Sequence, residues 1–112
     1  MANAQVVQID ALRSLAHGSI SGTYAAVGTP LTFPARLVCI TNNTDGDMIF
    51  SIDGVTDQLF VASGSFKLFD LQTNRLNQQQ QWVLAIGTQF FVKQSTAPTK
   101  NSVYVEILGG VT

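Results

Sequence analysis

The stretch NNTDGDMIFSIDGVTD, Asn42 to Asp57, holds Asp45, Asp47, Asp53 and Asp57, four of the chain's seven acidic residues. Carboxylates this close could ligate a divalent cation. A calcium loop of the EF-hand kind needs oxygen ligands at alternating positions, glycine at the sixth and a bidentate glutamate at the twelfth. Counted from Asn43, Asp45 and Asp47 fall in register, but Gly46 is fourth and Gly54 is twelfth. Met48, Ile49 and Phe50 fill places that want ligands or open backbone. Turns account for the stretch better. Asp45-Gly46 and Asp53-Gly54 each lie between apolar runs, and Asp-Gly supplies the positive-φ residues of tight hairpins. Three consecutive antiparallel strands, a meander, are expected, with the carboxylates wet at the turns.

Other reactive side chains are sparse. His17, the single histidine, sits in SLAHGSISG beside glycines and serines. A Ser-His-Asp triad can be written down, but no Gly-x-Ser-x-Gly elbow exists: GSISG centres on Ile20, and ASGSF lacks both flanking glycines. One cysteine and one histidine are too few for a zinc centre. The glycines of GVT, GSF and GTQ are isolated at turns and form no phosphate cradle. The only glutamate is Glu106, so no carboxylate pair for glycoside hydrolysis can be named. No catalytic, cofactor-binding or metal-ligating residue is assigned, and the chain is expected not to be an enzyme. Cys39, within the apolar run RLVCI, is expected to be an inert core thiol.

Composition points the same way. At 112 residues the chain fits one domain able to bury a real core. Hydrophobic residues make up 46% and charged residues only 12%, against about 25% in an average domain. That excludes disorder and implies that part of the surface is covered by a partner. Six Lys and Arg are scattered singly around a net charge of -1, so no basic stripe is present to neutralise a nucleic acid. No stretch is apolar for long enough to span a membrane, and MANAQVVQIDALRSLA does not read as a signal peptide.

Short runs rich in β-branched and aromatic residues cover 36–41, 47–52, 58–62, 65–71, 81–86, 89–94 and 102–108, bounded by Gly, Asn, Asp or Pro. Several alternate with period two: Val103, Val105 and Ile107 against Tyr104 and Glu106, and Phe50 and Ile52 against Ser51 and Asp53. Near the start, Val6, Ile9, Leu12 and Leu15 fit a short helix, while Val7, Ile9 and Ala11 fit a strand face. An extended arm over 1–11 is favoured, followed by strands near 12–17 and 19–26. The expectation is an all-β, single-domain, two-sheet β-sandwich over 12–112. It has about eight short antiparallel strands, and jelly-roll and immunoglobulin-like connectivities are both open.

Aromatic residues are the candidate contacts. Phe90 and Phe91 are adjacent, and Phe66 and Phe69 differ in parity, so in each pair one ring must leave the core. Phe69, Phe91, Trp82 and Tyr104 are the candidate interface residues. Trp82 beside the amides Gln78 to Gln81 also suggests a carbohydrate-binding module as an alternative.

The phrases SGTYAAVGTPL, ITNNTDGDMIFSIDGV, GSFKLFDLQTN and GTQFFVKQ, within a span from about Leu12 to Gly109, resemble the small β-rich virion structural proteins of tailed bacteriophages. The resemblance implies a non-enzymatic assembly component without cofactors. It would be made in the host cytoplasm and present in many copies in the virion. It would bind itself and other virion proteins, such as major capsid or connector subunits. Head decoration, as a cement protein, is preferred within that class, with a neck or tail component next.

Overall fold

The computed structural model describes residues 6–32, 35–70 and 87–111. Nine strands form among them: β1 (Val6–Ile9), β2 (Arg13–Ala16), β3 (Ala25–Ala26), β4 (Ala35–Asn42), β5 (Met48–Ser51), β6 (Leu59–Val61), β7 (Phe66–Asp70), β8 (Phe91–Gln94) and β9 (Ser102–Val111). A single 3-10 turn, His17–Ser19, is the helical content of the described residues. Strands β1-β9-β4-β7 make one sheet, with β2 also on β9, and β3-β8-β5-β6 make the other. Both β1 and β2 lie along the same side of β9, so they count as one interrupted strand. The sheets then read first-eighth-third-sixth and second-seventh-fourth-fifth in chain order, which is the jelly-roll connection. The chain is an all-β, two-sheet β-sandwich.

Alternation builds the core. Val38 and Ile40 of β4 and Val103, Val105 and Ile107 of β9 face Met48 and Phe50 of β5, Val61 of β6 and Val92 of β8. Each such side chain taken from water contributes about 1.5–3 kcal/mol, against the entropy lost in ordering the chain. Phe90 is buried and its neighbour Phe91 faces outward, as their adjacency requires. Arg13 is also buried, at 2% exposure, and is held by Asp10 Oδ2 at 2.9 Å and by the carbonyls of Ala11, Thr29 and Pro30. Its charge is tolerable inside because its donors are met.

Three expectations change. The meander does not form: β4 and β5 lie in different sheets, and only β5 and β6 pair as neighbours. Both edges of β4 are occupied, by β9 and β7, so no place is left for β5 beside it. Gly54 has the positive φ (74°) proposed for it, whereas Gly46 is not among the positive-φ glycines and serves a crossover between sheets. The strand near 19–26 shrinks to Ala25–Ala26, and that near 12–17 is Arg13–Ala16. Within the stretch read as an extended arm, Val6–Ile9 pairs with β9. The strand expected at 81–86, with Trp82 and the glutamine run, falls outside the described residues.

Candidate functional site

Strand parity decides what each sheet shows to the outside. On the five-stranded sheet, Leu37, Cys39 and Thr41 of β4 lie opposite Leu108, Glu106 and Tyr104 of β9, and Cys39 and Thr41 lie opposite Leu68 and Phe66 of β7. None of these belongs to the core, which takes the alternate residues. Ile9 joins the face opposite Leu108, and Leu12 follows it. Ile9 is 77% exposed, Leu12 58%, Phe66 64% and Leu68 61%. Ile9, Leu12, Leu37, Cys39, Leu68 and Leu108 line a shallow groove of about 390 Å³ with Glu106 in its wall. Clustered apolar exposure of this kind marks contact surfaces.

The outer face of the four-stranded sheet is smaller. Phe60, 47% exposed, lies opposite Ile49, which lies opposite Lys93. Lys93 Nζ is 2.9 Å from Asp57 Oδ1 and 4.9 Å from the centre of the Tyr24 ring, and the Tyr24 hydroxyl donates to the same oxygen at 2.6 Å. Burial, and then the Asp57 carboxylate, push the Tyr24 hydroxyl well above its ordinary range. The Tyr24 hydroxyl and then Lys93 hold Asp57 below its own.

The acidic stretch resolves into four turn devices split between the two ends of β5. Asp45 accepts the Thr99 N–H at 2.7 Å and the Thr99 hydroxyl, and Asp47 accepts the Ser63 N–H at 3.0 Å. Asp53 accepts the Ser51 hydroxyl at 2.6 Å and the N–H groups of Val55 and Thr56 at 2.8 and 2.9 Å. Asp57 serves the Tyr24–Lys93 cluster. Hydrogen bonds from Ser51, then from the Thr56 and Val55 backbone, hold Asp53 far below the usual carboxylate range, and those of Thr99 lower Asp45. A carboxylate with a lowered folded pKa gives its stability above the unfolded value, near 4, and loses it as pH falls. The melting temperature is therefore expected to hold level from about pH 7 to 5 and to fall below about pH 4. In Ser51→Ala stability is lower already at neutral pH and the acid limb is shallower, because Asp53 without its strongest partner has a folded pKa nearer its unfolded value. Thermal melts across pH check both.

His17 Nδ1 meets the Asn101 carbonyl at 3.1 Å, and no serine or aspartate among the described residues hydrogen-bonds it. Cys39 is not a core thiol. Val38 and Ile40 take the inward positions on either side, so Cys39 faces out and is half-buried, with the Thr41 hydroxyl 3.9 Å from its sulfur. In protein dilute enough to be single chains, Ellman's reagent is expected to titrate about one thiol per chain in native buffer, at a rate unchanged by mild denaturant.

Of the candidate interface residues, Tyr104 lies on the larger outer face and Phe91 on the smaller, its ring beside Gly54. Phe69 instead packs against the core, and Phe66 and Leu68 are the β7 side chains that face out. Trp82, on which the carbohydrate-binding alternative rested, lies outside the described residues. Sequence reasoning did not single out Leu68 and Phe60 as exposed side chains. The parity of β7 against β4, once paired, would have found Leu68.

No family model matches the chain, and no curated protein matches it. A solved structure described under "Bacillus endospore appendages form a novel family of disulfide-linked pili" is similar in fold, with a TM-score of 0.52. The likeness covers 98% of this chain and 93% of that one at 12% sequence identity, so it bears on fold alone.

Proposed function

We propose that this chain is a non-enzymatic structural subunit that works by packing against copies of itself inside a larger particle. The observation that carries this is the set of large apolar side chains left outside a complete core: Ile9, Leu12, Phe66 and Leu68 about one sheet, Phe60 and Val55 about the other. The polar chemistry of the loops is meanwhile consumed in holding turns, as the Asp53 and Asp45 networks show. A rigid sandwich with two apolar outer faces is suited to repeated contact. Each junction gains about 25 cal/mol per Å² of apolar area before association costs, and many junctions add through avidity.

The resemblance to phage structural proteins supports a place in a virion, as a head-decoration protein first and a neck or tail component second. The fold likeness to a pilus subunit supports the same type of role, a repeating subunit in an appendage or shell. Its covalent chemistry does not carry across to these 112 residues: with a single cysteine, one disulfide could join a pair of chains but could not continue a polymer. Continuous cohesion through these residues is therefore read as noncovalent. Negative-stain electron microscopy of concentrated purified protein is expected to show ordered assemblies of repeating subunits. Isolated single molecules at every concentration up to about 1 mM, where even weak contacts form, would contradict it.

A further inference from the structure

We propose that copies of this chain stack head to tail, the outer face of the five-stranded sheet of one copy seated on the outer face of the four-stranded sheet of the next. This rests on the subunit reading above and names its contact. Across β9, β4 and β7 the register sets Glu106, Cys39 and Leu68 in one row. Across β8, β5 and β6 it sets Lys93, Ile49 and Phe60 in one row. Each row runs from a charge through a mid-sized apolar side chain to a large one, and the two charges are opposite. Laid over each other, Glu106 meets Lys93 and Leu68 meets Phe60; a half-turn in the plane always brings two such rows into this sense. Packed sheets lie about 10 Å apart, a gap that a glutamate and a lysine reaching toward each other can close. Lys93 already serves Asp57, but an ammonium has three donors and can take a second carboxylate.

The same residues disfavour a symmetric pair made from two copies of the larger face. A two-fold axis along the row sets Glu106 on Glu106. An axis along β4 sets Glu106 on Leu68. Either way a carboxylate is buried without a cation, which is costly. Contact between unlike faces is heterologous, and each copy keeps one open face, so it repeats into a ring or filament.

Charge exchange tests this. Glu106→Lys alone and Lys93→Glu alone are each expected to need at least about tenfold more protein to associate, because like charges then meet at every junction. Sedimentation velocity reads the association, and thermal melts confirm that each variant is folded. An equimolar mixture of the two is expected to associate again: in an alternating stack every junction pairs a lysine with a glutamate. Should Lys93→Glu melt early beside Asp57, Phe60→Asp tests the same face and is expected to block association. Folded single variants that associate like the wild type, or a mixture of folded variants that stays apart, would overturn the stacking and leave the subunit role standing. A wild type that never associates would remove both.

Discussion

Asn42→Ala is expected to cost about 3–5 kcal/mol of unfolding free energy, read from urea denaturation. Asn42 ends β4 on the inward side, in line with Val38 and Ile40, and is fully buried. Its Nδ2 donates to the Gly46 carbonyl at 2.8 Å and to the Val61 carbonyl at 2.9 Å. Its Oδ1 accepts the Thr44 N–H at 3.0 Å and the Thr44 hydroxyl at 2.6 Å. One amide thus binds the crossover from β4 to β5 and ties it to β6 in the opposite sheet. Alanine would take their Asn42 partner from the Thr44 N–H and the Val61 carbonyl, at about 1–3 kcal/mol each, while the Thr44 hydroxyl and the Gly46 carbonyl keep each other at 2.9 Å, and a cavity adds to the cost. A loss below about 1 kcal/mol would mean that this end of the sandwich is held by something else.

Gly46→Ala is expected to cost about 3 kcal/mol, for a steric reason at the same crossover. A Cβ there would stand 2.3 Å from the Thr96 carbonyl oxygen and 3.1 Å from Ala97 C and Pro98 N. All three neighbours are backbone, so none can swing aside. The loop between β8 and β9 must move, although Ser95 and Thr96 fix it by N–H bonds to the Asp47 carbonyl at 2.8 and 3.2 Å. Gly22→Ala is the control, since nothing lies within 4 Å of its Cβ position, and it should change stability by less than about 0.5 kcal/mol. Equal losses for the two variants would show that the close approach at Gly46 is not limiting.

These two residues also show where the sequence speaks and where it falls silent. Alternation over Val103, Val105 and Ile107 placed β9 correctly, because side-chain period is a local property that burial enforces. Asp45-Gly46 misled for the converse reason. The dipeptide favours a tight turn, but which strand follows is decided by whether the edge of β4 is open, and β7 and β9 arrive from far along the chain to close it. Cys39 fell on the wrong face through the same gap: RLVCI is apolar throughout, so composition could not say which residues point inward until pairing fixed the parity. Asp53 was legible as a turn residue, since Asp beside Gly, Ser and Thr has ready local donors, whereas the partners of Asp45, Asp47 and Asp57 come from far along the chain. The candidate surface was legible only in outline. Low charge implied a covered face, but the rows Glu106–Cys39–Leu68 and Lys93–Ile49–Phe60 exist only across strands.

The central claim, that the apolar outer faces are where copies meet, is tested most directly by average mass in solution against concentration for the wild type and Leu68→Asp. Leu68 is 61% exposed and lies opposite Cys39, so aspartate there should leave the core and the melting temperature nearly unchanged. The wild-type mass is predicted to climb with concentration while Leu68→Asp stays at the mass of one chain. Two curves that coincide, whether both climb or both stay flat, would contradict it.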